Sequence, residues 1–269
     1  MRLPDRTEAP SGASVAVPVA ARVQMRRGRY LASAVDGVRL AVTVERGRVH
    51  ALALPRAPAD LPDGTAFLPG GELRDEAGRA VGAVAPFVAM VREVTCGEWL
   101  EFINDRVVRE EIARAAEAER GLVLAPRREP YAIRAMWRRT AGFGRAGGSF
   151  VLEDEKDGTA IDPARPIANI SHDDAVAYAA WRARRDGRPW RLPTVDEWRF
   201  AVQGGDARAH PWGSAADLLL CASALALARD ESLAEGPGCR HAADRSLHGL
   251  WDLAGGRSEF CAGSSPLGG

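Results

Sequence analysis

Three segments of the chain combine a polar helix start with apolar residues at helical spacing. Each begins with a hydroxyl residue that is followed three positions later by an acidic one: Thr95 with Glu98, Ser171 with Asp174, and Thr194 with Glu197. In this capping-box arrangement the hydroxyl accepts from the first turn, and the acidic side chain accepts from the backbone N–H of the capping residue. The pattern predicts three amphipathic helices that begin at these positions.

Glycines predict where two of these helices end. Gly187 ends the helix from Ser171, and Gly204 with Gly205 ends the helix from Thr194. The helix from Thr95 is expected to run through Phe102 and Ile103 and on to Arg120, with the charged run 109–119 as a solvated face.

One face of the helix from Ser171 carries small and aromatic residues. Ala175, Tyr178 and Ala179 share this face, with Val176 and Ala180 beside them. The small side chains predict close packing against a sheet or another helix.

The N-terminal part follows a different pattern, in which short β-prone runs alternate with turn residues. The runs are 13–19, 29–34, 38–44 and 49–54, and glycine-containing turns separate them. This pattern is typical of antiparallel hairpins. We therefore predict a flexible N-terminus at 1–11, a small all-β module at 12–55, a proline-rich linker at 56–64 and a large domain at 65–269.

Periodicity is weak over residues 121–165 and 204–248 of the large domain. Together with the three helices, these stretches predict an α+β fold with long irregular loops.

Composition excludes several classes of function. Basic and acidic residues number 36 each, so no overall field attracts nucleic acid or an anionic membrane. No apolar run is long enough to span a bilayer, and the first residues lack a signal-peptide core. The four cysteines are scattered, which favours reduced thiols and a cytoplasmic location, although pairing of Cys221 with Cys239 is left open.

Four motifs, in a fixed order, carry a family resemblance. They are EVTCGEWLEFI at 93–103, PIANISHDDAVAYAAW at 166–181, RLPTVDEWRFAVQGG with HPWG at 191–213, and HGLWDLAGGRSEF at 248–260. Together they resemble the formylglycine-generating-enzyme family, also called the sulfatase-modifying-factor domain. The resemblance implies a C-type-lectin-like α+β fold.

Residues 9–15 and 27–31 resemble, more weakly, a PEGA-type β-module. Such modules precede this domain in bacterial proteins, some of which carry a serine/threonine kinase, so the resemblance implies association with a kinase. The chain itself contains neither a glycine-rich ATP loop nor a His-Arg-Asp catalytic loop.

The resemblance also implies what catalysis would require. Enzymes of the family bind copper through two cysteines beyond the last motif and oxidise a substrate cysteine to formylglycine. This chain ends at Gly269 without such a pair, and Cys261 stands where the family has threonine. A single thiolate does not replace the pair that Cu(I) prefers. We therefore expect no bound copper and assign no catalytic residue.

By the same resemblance, the calcium site of the family has lost ligands in this chain. Gly256 replaces the asparagine ligand and Ser258 replaces a tryptophan or arginine, while Glu259 is retained. Calcium needs six to eight oxygen ligands, so the lost amide weakens the site. Asp230 and Asp244 are candidates for a second site, and we assign no metal ligand.

Histidines offer two interpretations. His241 and His248 flank Asp244, which suits a metal or acid–base cluster, but surface loop residues are the simpler interpretation. His172 replaces a family tryptophan at a helix start, where we expect a partly exposed polar group.

Three functions follow from these observations. The favoured one is a non-catalytic binding or sensing module with an unknown protein or small-molecule ligand, in which tryptophans line a recognition surface or the core: Trp137, Trp190, Trp212 and Trp251. The alternatives are an oxidase whose cysteine segment is missing from this chain, and a lectin-like variable display protein. If the family's closing strands are truly absent, unpaired sheet edges predict marginal stability or association with another chain.

Overall fold

The computed structural model describes residues 28–34, 36–44, 54–110, 150, 152, 162–168, 170–223, 226, 238 and 241–262. Its named elements are six strands and three helices: β1 Gly28–Ser33, β2 Arg39–Val44, β3 Thr65–Leu68, β4 Gly71–Arg74, β5 Ala80–Val84, β6 Phe87–Met90, α1 Cys96–Asn104, α2 His172–Asp186 and α3 Val195–Gln203. The described part is thus a mixed fold of helices and small sheets.

All three predicted capping boxes are confirmed. Each helix is preceded by a residue whose hydroxyl accepts a hydrogen bond from the backbone N–H of the third helical residue. The acidic side chain of that third residue accepts a hydrogen bond from the backbone N–H of the capping residue. The capping residues are Thr95, Ser171 and Thr194. Gly187 and Gly204 end α2 and α3 in the left-handed conformation that glycine adopts without strain.

The first helix is shorter than predicted. It ends at Asn104, and Asp105 leaves the helical conformation with a ψ of 137°. The Asp105 carboxylate then accepts from the N–H groups of Val107 and Val108 at 2.9 and 3.3 Å, and residues 106–110 form a separate helical segment. A continuous helix from Thr95 to Arg120 is therefore wrong at Asp105, because this side chain stops one helix and caps the next. Residues 111–120 lie outside the described part.

The apolar face of α2 is confirmed in its centre and differs at its edge. Ala175, Tyr178 and Trp181 are buried, whereas Val176 is 45% exposed and Ala180 is also exposed. Trp181 occupies the i+3 position from Tyr178, so the larger ring covers the core in place of the predicted neighbours.

The predicted hairpin around Asp36 and Gly37 is confirmed. β1 and β2 pair antiparallel from Gly28 opposite Val44 to Ser33 opposite Arg39, and Gly37 takes a φ of 84° in the turn. Of the other predicted runs, 13–19 lies outside the described residues, and of 49–54 only Leu54 is described, outside any strand.

Two further strand pairs were not predicted. β3 pairs with β6 and β4 pairs with β5, both antiparallel, so the β4–β5 hairpin is inserted between the strands of the other pair. The connection from β3 to β4 requires glycine, because a Cβ at Gly70 would lie 2.3 Å from the Val84 carbonyl oxygen.

Two hydrophobic clusters form the core. The first surrounds α1 and α2, where the ring of Trp99 stacks on Tyr178 with 5.5 Å between ring centroids. The ring of Phe102 meets Tyr178 edge-on and Trp181 at a tilt, with a centroid distance of 5.4 Å in each pair. The second surrounds α3 and contains Leu68, Leu73, Phe200, Ala201 and Leu250.

The N-terminal hairpin contacts the second cluster. Leu40 of β2 packs against it, and the Ala41 N–H donates to the Gly204 carbonyl at 3.3 Å.

None of the helices in the described part combines the length and apolar character required to cross a membrane.

Candidate functional site

A cavity of about 870 Å³ lies between the two hydrophobic clusters. Trp99 and Tyr178 line it from the first cluster, and Ala201 and Leu250 line it from the second. A predominantly apolar cavity of this size is within the range of ligand-binding sites.

Two continuous stretches of chain contribute to the lining of this cavity, which we call the cleft. They are the four residues of β6 and residues 189–193. Besides Trp99, three indoles line the cleft from separate parts of the chain: Trp190, Trp198 and Trp251.

Paired guanidinium groups surround this cleft. Arg191 forms two hydrogen bonds of 2.7 Å with Glu197, and Arg188 contacts Asp60 at 2.9 Å. Arg182 bonds Asp186 and lies 3.5 Å from Glu98. These cations already have carboxylate partners and are not available to an anionic ligand.

Two carboxyl groups without an arginine salt bridge in the described part, Glu93 and Glu259, also line the cavity. One oxygen of Glu93, Oε1, is buried and makes no hydrogen bond with any described residue. Burial, helped by the charges of Asp252 and Asp244, raises the pKa of Glu93 to about 7 against the opposing N–H and charge of Arg257.

Glu259 is perturbed more strongly. Burial raises its pKa to about 8, the Glu93 charge acts in the same direction, and the Trp198 indole favours the ionised form. The charge of Glu93 therefore raises the cost of ionising Glu259, so the carboxyl groups in this part of the lining favour either a proton or a cation.

Asp244 and Asp252 lie behind this pair. Asp244 is fully buried and accepts from the Ala254 N–H at 3.1 and 3.3 Å, while burial raises its pKa to about 6. Asp252 holds a left-handed φ of 59°. Its Oδ2 would lie 2.8 Å from a Cβ at Gly238, so a larger residue there would have to displace the Asp252 carboxylate.

These carboxyl groups do not fit a calcium site. Among the described residues, no three His, Cys, Asp or Glu side chains converge on a point that could hold a metal ion. A Cβ at Gly256 would lie 3.7 Å from Glu93 Oε1, so the position faces the acids, but glycine offers no oxygen ligand from a side chain. Asp244 instead binds backbone N–H groups, and Asp230 lies outside the described part.

The described cysteines do not fit a copper site either. Cys96, Cys221 and Cys261 are free and buried, so none of them pairs with another described cysteine. Cys239, the partner considered for Cys221, lies outside the described residues. Burial raises the pKa of all three thiols. A buried thiol with a raised pKa is a poor nucleophile and a poor metal ligand, because both roles require the thiolate.

The histidines separate into two environments. His172 is partly exposed as expected, with its ring 34% exposed and Nε2 3.2 Å from the Cys261 carbonyl oxygen. His248 is not a surface residue: its ring stacks on Phe200 at 5.5 Å, and burial lowers its pKa to about 4. His241 Nε2 is also buried without a described partner. Helical or strand periodicity does not extend into this loop, so the sequence did not indicate that burial.

Of the four tryptophans proposed for a surface, Trp190 and Trp251 line the cavity. Trp212 stacks on His210 at 4.8 Å and does not line the cavity, and Trp137 lies outside the described part. Glu93 and Asp252 were missed, although each is an acidic residue beside apolar neighbours in a quoted motif.

A family model described as the sulfatase-modifying factor enzyme 1-like domain matches residues 51–265. The chain belongs to this family. The sulfatase-modifying factor assignment confirms the resemblance carried by the four motifs, and it leaves the PEGA-like resemblance and the lectin-like fold as predictions.

The relatives of this chain include a protein named as inactive and others named as enzymes. Over 82 residues the chain is 39% identical to the mouse inactive C-alpha-formylglycine-generating enzyme 2, covering 30% of this chain and 21% of that protein. It is 39% identical over 70 residues to the formylglycine-generating enzyme of Thermomonospora curvata, covering 25% and 21%.

A longer match is to the hercynine oxygenase of Mycolicibacterium thermoresistibile, which is 31% identical over 183 residues, covering 65% of this chain and 34% of that protein. The chain thus spans about a fifth to a third of the length of these relatives.

Proposed function

We propose that this member of the sulfatase-modifying factor family is a non-catalytic binding module, in a lectin-like fold, whose ligand site is the cavity beside β6. The observation that carries the proposal is the apolar cleft of about 870 Å³ with the acidic groups of Glu93 and Glu259 among its lining residues. Convergent polar groups in an apolar cavity are the usual form of a binding site.

The thiols support the non-catalytic part of the proposal. All three described cysteines are buried with raised pKa values, so none offers the exposed thiolate that cysteine oxidation through copper needs. The similarity to a relative named as inactive agrees with this interpretation. Three unpaired thiols also support a reducing, cytoplasmic location.

The second candidate is an oxidase, which the similarity to formylglycine-generating enzymes and to a hercynine oxygenase favours. In such an enzyme copper would supply oxygen activation, and two thiolates would have to hold it. The buried, isolated thiols of the described part count against this candidate.

A direct assay distinguishes the two candidates. The full chain is supplied with copper, oxygen and a cysteine-containing peptide, and conversion to formylglycine is followed by mass spectrometry. We expect no conversion above the metal-only background, with the Thermomonospora curvata relative as the positive control. Turnover that requires this protein would overturn the non-catalytic proposal.

A further inference from the structure

His248 is a buried histidine without a hydrogen-bond partner in the described part of the chain. Its ring stacks on Phe200, with 5.5 Å between ring centroids, and both ring nitrogens are buried. Neither nitrogen makes a hydrogen bond with a described residue. A neutral imidazole has one N–H donor and one acceptor, whereas the protonated ring has two N–H donors and a charge. This environment therefore favours the neutral ring.

Two cations also oppose protonation of this ring. Burial, helped by the charges of Arg208 and Arg39, lowers the pKa of His248 to about 4. Arg208 follows α3, whereas Arg39 is the first residue of β2 in the N-terminal hairpin. The packing of the hairpin on the larger domain therefore places a second positive charge near the histidine.

Carboxylates on the surrounding elements are engaged elsewhere. Their partners are as follows: Asp206 with Arg208, Glu72 with Arg74, Asp196 with Arg199, and Asp244 with the Ala254 N–H. Arg245, on the loop that carries His248, lies over the Trp251 ring at 5.1 Å. None of these carboxylates accepts from the His248 ring, so an added proton has no compensating charge in direct contact.

The N-terminal hairpin contacts the same part of the core as His248. Leu40 packs against the cluster that contains Phe200. The Ala41 N–H donates to the Gly204 carbonyl at the end of α3, at 3.3 Å, and Ala41 is buried. Phe200 therefore stacks on His248 and belongs to the cluster that the hairpin covers.

The hairpin depends on this contact for its own order. Within the described part β1 pairs only with β2, and a two-stranded hairpin alone is marginally stable in water. A further bond joins the Ala57 N–H to Asp36 Oδ2 at 3.3 Å, in an exposed position. Loss of the contact with the domain is thus expected to unfold the hairpin locally, without unfolding the domain.

We infer that protonation of His248 releases the β1–β2 hairpin from the larger domain, which makes this contact an acid-sensitive switch. A charged ring is repelled by Arg39 and needs water at both N–H groups. Movement of the hairpin away from the domain relieves the repulsion and opens the Phe200 cluster to water. This device is independent of the proposed binding function.

The pH range of release follows from the two states of His248. With the hairpin docked the pKa is about 4, and in the released state we expect it to return toward the ordinary value of about 6.5. The docked state keeps its full stability above pH 6.5 and loses it as pH falls from 6.5 toward 4. We therefore expect the equilibrium for release to rise by about tenfold between pH 7 and pH 5.

The buried acids act in the opposite direction. The raised pKa values of Glu93 and Glu259 stabilise the folded domain as pH falls from 7 to 5. Release of the hairpin is therefore distinguishable from acid unfolding of the whole domain.

Amide hydrogen exchange of the full chain, followed by mass spectrometry at pH 7, 6 and 5, measures this release. Exchange rates are corrected for the intrinsic effect of pH on unprotected amides. We expect the protection of residues 28–44 to fall by about tenfold between pH 7 and pH 5, whereas the protection of α2 does not fall.

Two variants assign the effect to one histidine. His248→Gln keeps a polar side chain that does not titrate, and we expect its hairpin protection to change by less than about twofold over this range. His172→Gln is the matched control, because His172 is partly exposed on α2, and it should keep the fall of the unmodified protein.

A measurement on the unmodified protein serves if His248→Gln does not fold. The imidazole signal of His248 and the amide signal of Ala41 are followed by NMR from pH 7 to pH 4.5. We expect the two signals to titrate with the same midpoint, because protonation and release are one event.

Three results would each overturn the inference. They are unchanged hairpin protection between pH 7 and pH 5, a fall that His248→Gln retains, and an equal fall in the hairpin and in α2. Different NMR midpoints for His248 and Ala41 would do the same.

Discussion

Thr194 shows how a single side chain defines a helix start in this protein. The Glu197 N–H donates to its hydroxyl at 3.1 Å, and its own N–H donates to the Glu197 carboxylate at 2.8 Å. Losing a hydroxyl cap typically costs about 1 kcal/mol. We therefore expect Thr194→Ala to lower the free energy of unfolding by about 1 kcal/mol in urea denaturation. Thr194→Ser keeps the acceptor and serves as the control; equal losses in both variants would show that the hydroxyl is not the cause.

At the scale of elements, the β1–β2 hairpin packs on the larger domain. Leu40 contacts the Phe200 cluster, whereas Leu31 of the same hairpin is 52% exposed. We expect Leu40→Ala to cost about 1 to 2 kcal/mol, below the range for a fully buried leucine, and to lower the midpoint of a single thermal transition. Leu31→Ala is the matched control, with a change within about 0.5 kcal/mol. A separate early transition in Leu40→Ala would show that the hairpin unfolds independently.

At the scale of the whole molecule, the buried acids predict stability that depends on pH. Raised pKa values mean that the folded state keeps protons that the unfolded state releases above about pH 4.3, the ordinary glutamate value. This contribution is fully present at low pH and is lost as pH rises through the folded values, about 7 for Glu93 and about 8 for Glu259. Between pH 7 and 8 we therefore expect stability to fall.

The free energy of unfolding should fall by roughly 1.4 kcal/mol per pH unit for each proton that the folded state holds and the unfolded state has released. His248, with a lowered pKa of about 4, is neutral in the folded state over this range. An unfolded histidine, with an ordinary pKa of about 6.5, is mostly neutral above pH 7, so the opposing contribution of His248 is small. Urea denaturation at pH 7 and 8 measures the slope, and Glu259→Gln should flatten it. A slope that is unchanged in Glu259→Gln would show that this carboxyl is not the source.

Much of the local structure could be predicted because its causes lie within a few residues of one another. The three capping boxes, the glycine stops of α2 and α3 and the hairpin at Asp36 all depend on contacts of this kind. The break at Asp105 was missed because an aspartate is compatible with a helix interior until its side chain bonds the next turn.

The candidate site could be predicted only in part. Glu259 was noted as a retained acid of a motif, and Trp190 and Trp251 as candidates for a recognition surface. Glu93 and Asp252 were not noted, and nothing in the local pattern relates Glu93 to Glu259. His248 was misassigned to the surface because burial in an irregular loop has no periodic signature.

By itself, the sequence determined the family, the helix starts and the N-terminal hairpin, since ordered motifs and short-range hydrogen bonds are written in neighbouring residues. Only the tertiary structure decided that β6, Glu93 and Glu259 line the same apolar cavity. These features depend on how distant segments pack, and so do the raised pKa values, because desolvation and charge repulsion act through space and not along the chain.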